Sequence, residues 1–217
     1  MVGRSARRPR RRQLLLLQVG ILAVLAVVTY PVWEPLVSDE WSVVYDGYGT
    51  VDISANSVTL APTPPASPAA SDTHAALVVT GEDYGDLTVS AEVRTDRQLR
   101  PGSPNPWEVG WLLWHQTDPQ HFYAVALKPN GWELSKQVPG APGGQRFLTS
   151  GNTPRFPTGV WHRLTVTQHG GEITVTANGR RLTHFLDPEP YTRGAVGLYT
   201  EDAVATFRSI TITPTGA

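Results

Sequence analysis

From Trp41 to Ile212 the chain alternates apolar and polar residues, and Gly, Pro, Asn or Asp interrupts the alternation about every ten residues. No stretch of this region keeps a 3.6-residue apolar repeat. A repeat of two is that of a strand with one buried face, so the pattern restricts this part of the chain to an all-β architecture. The candidate strands are 41–45, 57–61, 75–80, 86–95, 107–115, 121–128, 132–138, 160–168, 172–177, 180–186, 194–200 and 204–212. So many short strands, punctuated by 20 glycines and 19 prolines, predict a jelly-roll β-sandwich. Two hairpins are specified by dipeptides that accept positive φ, Gly170-Gly171 and Asn178-Gly179. The segment "PTPPASPAAS", Pro62 to Ser71, breaks the alternation and reads as an exposed loop.

The residues before this region divide into a basic segment 1–13, an apolar segment 14–33 and a short linker 34–40, leaving 41–213 as the sandwich domain. Between Leu14 and Trp33 only Gln18 and Thr29 are clearly polar. Twenty helical residues span roughly 30 Å, the thickness of a bilayer hydrocarbon core. Six arginines in the first twelve residues place the N-terminus in the cytoplasm, while Tyr30 and Trp33 suit the far interface. The expectation is therefore a single-pass anchor in the cell membrane, with the sandwich extracytoplasmic. Two other readings stand beside it. "RRQLL" (Arg11 to Leu15) is similar to a twin-arginine export signal, although no small-x-small cleavage site follows the apolar run, and the least favoured reading is a buried helix of a soluble protein.

Without the six N-terminal arginines the chain holds 12 basic and 19 acidic residues, a net charge of −7. A mildly acidic body argues against nucleic acid as a partner. There is no cysteine, which excludes disulfides, thiolate metal sites and a cysteine nucleophile.

The C-terminal half runs "GVWHRLTVTQHGGEITVTANGRRL" and then "GAVGLYTEDAVATFRSITI". A tryptophan opening one strand, a hairpin ending in Asn-Gly, a Gly-x-x-Gly-Leu strand and a closing strand with Phe-Arg resemble the concanavalin A-like lectin/glucanase superfamily. Within it, the order is similar to the laminin-G-like and 3-keto-disaccharide hydrolase (family 16 glycoside hydrolase-like) jelly rolls of exported bacterial proteins. The segment "WEVGWLLWHQTDPQHFYAVALKPNGWELSK" resembles exported actinobacterial members, and the arginine-rich, lysine-poor composition agrees with such a source. The resemblance covers roughly Trp41 to Ile212 and implies a sugar or polysaccharide ligand. It does not carry an activity with it.

Lys128 and Lys136 are the only lysines of the chain. A hairpin pairing His115 with His121 sets Trp114 opposite Phe122, Leu112 opposite Ala124, Gly110 opposite Ala126 and Glu108 opposite Lys128. A three-residue turn then pairs Lys128 with Trp132 and Ala124 with Lys136. Alternation gathers Glu108, Trp114, Phe122, Lys128, Trp132 and Lys136 on one face over a floor of Gly110, Ala124 and Ala126. Trp107, Val109, Trp111, Leu113, Tyr123, Val125 and Leu127 form the core face. Small floor, aromatic walls and a few polar groups suit a carbohydrate: Trp114, Phe122 and Trp132 stack, and Glu108, Lys128 and Lys136 bond hydroxyls. The competing reading has these aromatics filling the sandwich, with Glu108 and Lys128 as a cross-strand ion pair. A one-residue slip exchanges the two faces.

His115, Asp118 and His121 bracket one loop and could hold zinc, although Asp118-Pro119 also simply makes a turn. Glu82, Asp83 and Asp86 supply oxygens of the kind calcium takes, without the spacing of a defined calcium loop. Glu201-Asp202 reads as a solvated turn after a strand. No cofactor is implied. The Glu-x-Asp-x-x-Glu run of glucanases with this fold is absent, as are GxSxG and HExxH. The expectation is a non-catalytic protein that binds carbohydrate or a cell-envelope polysaccharide. The alternatives are a glycoside hydrolase-like enzyme using Glu108 and a cell-surface module for protein contacts.

Overall fold

The computed structural model describes residues 41–69 and 71–215. The basic segment 1–13, the predicted membrane span 14–33 and the linker 34–40 lie outside the described residues. The described strands are β1 (Trp41–Tyr45), β2 (Thr50–Ile53), β3 (Ser57–Ala61), β4 (Ala75–Thr80), β5 (Leu87–Gln98), β6 (Gly110–Asp118) and β7 (His121–Lys128), followed by β8 (Gly131–Gln137), β9 (Gln145–Gly151), β10 (His162–His169), β11 (Glu172–Ala177), β12 (Arg180–Leu186), β13 (Ala195–Glu201) and β14 (Ala203–Pro214). A short 3₁₀ turn, Pro142–Gly144, precedes β9. The strands form two seven-stranded antiparallel sheets. The front sheet has the order β1-β4-β13-β6-β7-β8-β9 and the back sheet the order β12-β11-β10-β5-β14-β3-β2.

Alternation decides the layering. On the back sheet Leu164, Val166 and Gln168 of β10 are buried while Thr165 and Thr167 face outward. On the front sheet Leu112 and Trp114 of β6 and Tyr123, Val125 and Leu127 of β7 join the same interior cluster. Gly110 also faces inward: a Cβ there would meet Val93 Cγ2 at 2.8 Å and Ala205 Cβ at 3.1 Å, so the two sheets approach too closely for a side chain. Both predicted hairpins form, at Gly170-Gly171 between β10 and β11 and at Asn178-Gly179 between β11 and β12, where Asn178 and Gly179 have φ of 50° and 78°. The two strands absent from the sequence reading, β2 and β9, lie on sheet edges. An edge strand with little buried area shows weak alternation, and β9 has no fully buried residue. The proline-rich segment forms no strand, as expected, but Pro62 and Pro65 are buried rather than exposed.

The hairpin registers differ from the sequence reading by one residue. Trp111 pairs with Ala126, Leu112 with Val125, Leu113 with Ala124 and Trp114 with Tyr123. The cause is a bulge: β6 continues to Asp118, which pairs with His121 across a two-residue Pro119-Gln120 turn, and the extra residues are absorbed at His115, where φ is 50°. The β7–β8 turn is also two residues, so Lys128 pairs with Gly131, Leu127 with Trp132 and Tyr123 with Lys136. β7 presents the predicted faces, but β6 and β8 on either side are reversed. Trp114, Trp132 and Lys136 point into the sandwich, while Trp111 and Leu113 point out of it.

The buried lysine brings its partners with it. Lys136, 3% exposed, donates to Asp187 Oδ2 at 2.8 Å and to the Glu189 carbonyl, and its ammonium lies 4.1 Å from the Tyr191 ring centroid. The Tyr123 hydroxyl donates to the same carboxylate oxygen. Tyr123 stacks on Trp114 at 5.2 Å, and Trp114 Nε1 donates to Gln168 Oε1 of the back sheet at 2.6 Å. A polar chain thus crosses the apolar interior with each group paired. Burial by itself would raise the Asp187 carboxyl, but hydrogen bonds from Lys136 and Tyr123 outweigh it and hold it below its ordinary value.

Lys136→Met keeps the stem and leaves the Asp187 charge without its cation. Breaking a buried pair from one side costs about 3–5 kcal/mol, to be read as a lower urea midpoint at unchanged slope. In the unaltered protein the depressed carboxyl of Asp187 stabilises the fold above its unfolded value of 3.8, and this contribution is lost as pH falls through the lower folded value. Lys136→Met should lose most of that acid-side dependence.

Candidate functional site

The outward face of the front sheet carries a second apolar cluster, Leu77, Val109, Trp111, Leu113, Ala124 and Ala126, with Val79, Phe122 and Tyr199 packed against it. Among the described residues no third layer of strands covers this face. Register brings its members into rows across the strands. One row runs Glu133, Ala126, Trp111, Tyr199, Leu77 and Tyr45, and a second runs Phe147, Ser135, Ala124, Leu113 and Gly197.

These rows line a groove of about 350 Å³, walled by Tyr45, Trp111, Phe122 and Tyr199, floored by Ala124 and Leu113, and edged by Gln116, Ser135, Gln137, Gln145 and Glu201. A smaller hollow of about 230 Å³ shares Trp111, Gln145 and Glu201 and adds Trp107, Glu133 and Phe147. Trp107 and Phe147 are 43% and 64% exposed, large aromatic surfaces presented to solvent beside polar groups.

Two carboxylates face this surface. Glu133 is buried and held by Lys128, with Gln145 Nε2 at 3.4 Å from its second oxygen. Glu201 accepts a hydrogen bond from the Tyr199 hydroxyl at 3.1 Å. Burial raises the Glu201 carboxyl above its ordinary range, and the negative charges of Asp202 and Glu108 push in the same direction against Arg100. The Tyr45 hydroxyl is in turn pushed up to about 12 by burial and by Glu201. Three strand spacings separate β13 from β8, and Glu201 lies two residues along β13 from the row of Glu133, so their backbones lie roughly 16 Å apart with Trp111 between them.

Glu201 is fixed from behind. Asp202 has φ of 45°, accepts the His74 amide at 2.9 Å and binds the Arg100 guanidinium, which also binds Glu108. Arg100 donates further to the Ala69 carbonyl at 2.7 Å and to Thr73 Oγ1 at 3.0 Å. This buried cluster ties the loop between β5 and β6, which carries Trp107, to the β13–β14 turn that carries Glu201. The expected solvated turn at Glu201-Asp202 is thus corrected: Asp202 is buried and Glu201 borders the groove.

The six residues expected to share a binding face are dispersed. Phe122 alone lines the groove. Trp114 and Lys136 are interior, for the register reason above. Glu108 is 0% exposed and bonded to Arg100 and Asn105, so it neither pairs with Lys128 nor reaches a substrate as acid or base. Lys128 and Trp132 border a separate open depression at the β7–β8 turn with Asn130 and Asn152, where Trp132 shows only 6% of its surface.

The residues considered for metal are likewise engaged elsewhere. His115 is buried with its ring nitrogens 2.7 Å from the Tyr191 carbonyl and 2.9 Å from the Gly85 carbonyl, whereas His121 bonds Asp118 at 2.8 Å across the turn. Asp118 accepts the Gln120 amide, the largest factor holding its carboxyl below the ordinary range. Asp86 receives the Gly170 amide at 2.8 Å and pairs with His169, which joins two loops. Among the described residues, no cluster of three or more His, Asp or Glu side chains suits a metal ion, calcium included.

Sequence reasoning missed Tyr45, Trp111, Tyr199 and Glu201. The alternation of β8 carried a signal: Glu133, Ser135 and Gln137 form its polar set, and setting that set outward fixes the register of β7 and β6 in turn. Tyr199-x-Glu201 has the same period of two.

The fold is shared with known proteins. A carbohydrate-binding module, CBM66, from Bacillus subtilis superposes with a TM-score of 0.62 at 15% identity, covering 82% of this chain and 99% of the module. A lichenase derived from a mouse hindgut metagenome gives 0.59 at 12% identity, covering 84% and 96%, and a Bacillus licheniformis β-glucanase gives 0.57 at 9%, covering 82% and 92%. These likenesses establish the shared concanavalin A-like jelly-roll fold. No curated protein matches the sequence. The family model of the 3-keto-alpha-glucoside-1,2-lyase-like domain matches residues 32–213, and the chain therefore belongs to that family.

Proposed function

We propose that the domain binds a saccharide in the groove on the outward face of the front sheet, and that segment 14–33 displays it outside the cytoplasmic membrane. The observation that carries this reading is the combination, on one face that no described strand covers, of an apolar cluster, exposed Trp107 and Phe147, and convergent Gln, Ser and Glu side chains. Aromatic rings pack on the C–H faces of a sugar while amides and a carboxylate bond its hydroxyls. The fold shared with a carbohydrate-binding module and two glucanases supports it, as does the family description. Binding without catalysis is the primary reading. Glu201 favours a second one, since a carboxyl that burial shifts upward is better suited to act as a general acid.

Phe147→Ala and Trp107→Ala remove exposed rings and should leave the fold intact. Each is expected to weaken binding to a soluble glucan oligosaccharide about tenfold, measured by titration calorimetry. Unchanged affinity in both, and in Phe122→Ala of the groove wall, would remove this face as the site.

The titratable groups around Glu201 are Tyr199, Tyr45, Asp202, Glu108 and Arg100. Protonation takes from Glu201 one of its acceptor oxygens, so saccharide affinity should fall as pH is lowered through its raised value. Glu201→Gln should flatten that profile. Turnover of a 3-keto-glucoside by the unaltered protein, lost in Glu201→Gln with binding retained, would establish the catalytic reading instead.

Anchoring is tested in intact cells. The chain should resist carbonate extraction of membranes, and its sandwich should be shaved by external protease; recovery in the soluble cytoplasmic fraction would refute it.

A further inference from the structure

Beside the groove lies a further hollow of about 330 Å³, whose lining includes Tyr45, Asp46, Tyr48, Thr73 and His74. Tyr45 is a wall of both. The same β13–β14 turn supports both, because Glu201 edges the groove while Asp202 holds the His74 amide and donates its own amide to the His74 carbonyl at 2.9 Å.

Tyr48 stands out in this hollow. It is 82% exposed, the most exposed of the large hydrophobic residues described, and its φ is 60°. Positive φ is costly for a bulky side chain and persists where the surroundings impose it. Here they do: Asp46 Oδ1 accepts the Tyr48 amide at 2.9 Å, and Thr63 bonds the Gly47 carbonyl through both its amide and its hydroxyl at 3.0 Å. The flanking glycines are required by space, since a Cβ on Gly47 would lie 2.6 Å from the Ala75 carbonyl oxygen and one on Gly49 2.0 Å from that of Ala61. The ring touches His74 edge-on at a centroid distance of 5.2 Å, and at this exposure at least one face is open. A tightly specified turn thus presents an aromatic ring to solvent three residues beyond Tyr45, which ends the row Trp111, Tyr199, Leu77 and Tyr45.

We infer that the Tyr48–His74 hollow is an outer subsite of the groove, in which the distal ring of an oligosaccharide stacks on Tyr48. The occupant is a saccharide chain long enough to pass Tyr45, because that wall is common to both spaces and the row Trp111, Tyr199, Tyr45 leads to it. This inference rests on the reading that the groove itself binds saccharide.

The test is titration of the full chain in detergent micelles with linear glucose oligomers of two to six units, in both α- and β-linked series. Affinity should rise with length in the unaltered protein. Tyr48→Asn, which tolerates positive φ, should leave the shortest binding oligomer within twofold and lower the longest by roughly tenfold; Tyr48→Phe should restore it. Length dependence unchanged in Tyr48→Asn, with binding still sensitive to Trp107→Ala, overturns the subsite and leaves the groove standing. Equal losses at every length also overturn it, showing that Tyr48 acts on the groove as a whole. If no oligomer of either series binds the unaltered protein, the groove reading for glucans and the subsite fall together.

Discussion

Trp114 and Tyr123 stack inside the sandwich with ring centroids 5.2 Å apart, and their pairing sets which side of the central front-sheet strands meets solvent. Because side chains alternate with a period of two, fixing one inward pair on β6 and β7 fixes Leu112 and Val125 inward and Trp111, Leu113, Ala124 and Ala126 outward. β8 follows through Tyr123 and Lys136, and β13 through Trp111 and Tyr199. The pair is held by polar ends as well as by ring area: Trp114 reaches Gln168 of the back sheet, and Tyr123 reaches Asp187. Without these partners both rings would carry buried donors with no acceptor, which is costly in an apolar interior.

The bulge at His115 reconciles that pairing with a two-residue turn. It absorbs the mismatch between Trp114–Tyr123 and Asp118–His121, and the His115 ring, seated between the carbonyls of Tyr191 and Gly85, secures the positive φ. In the loop between β5 and β6, Arg100 does comparable work for the groove. It joins Glu108, Asp202 and the Ala69 carbonyl and so fixes the loop bearing Trp107 and the turn bearing Glu201 in one buried cluster. A guanidinium suits this place because its planar fork reaches several acceptors at once, whereas Lys136 serves one carboxylate oxygen and one carbonyl through a compact ammonium.

The strands other than β2 and β9, the two hairpins and the small alanine floor were legible in local patterns, and the faces of β7 were read correctly from its own alternation. The faces of β6 were not, because they depend on a bulge that no local pattern of His115 reveals, whereas those of β8 were reversed by the assumed three-residue turn even though its polar set marks the outward side. Lys136 misled for a physical reason: a lysine beside Trp132 and Leu134 reads as outward-facing unless a buried carboxylate awaits it, and Asp187 is 51 residues away. Glu108 misled likewise, its partner Arg100 lying in a loop without periodicity.

The sequence by itself determined that the region from Trp41 to Ile212 is all-β, since period-two alternation and Gly, Asn and Pro turns act over a few residues and need no knowledge of neighbours. Only the tertiary structure decided which aromatics meet solvent, that Glu201 and not Glu108 borders the groove, and that Tyr45 connects it to Tyr48. Those outcomes depend on the registers between strands, and a shift of one residue exchanges interior for surface while leaving the alternation of each strand unchanged.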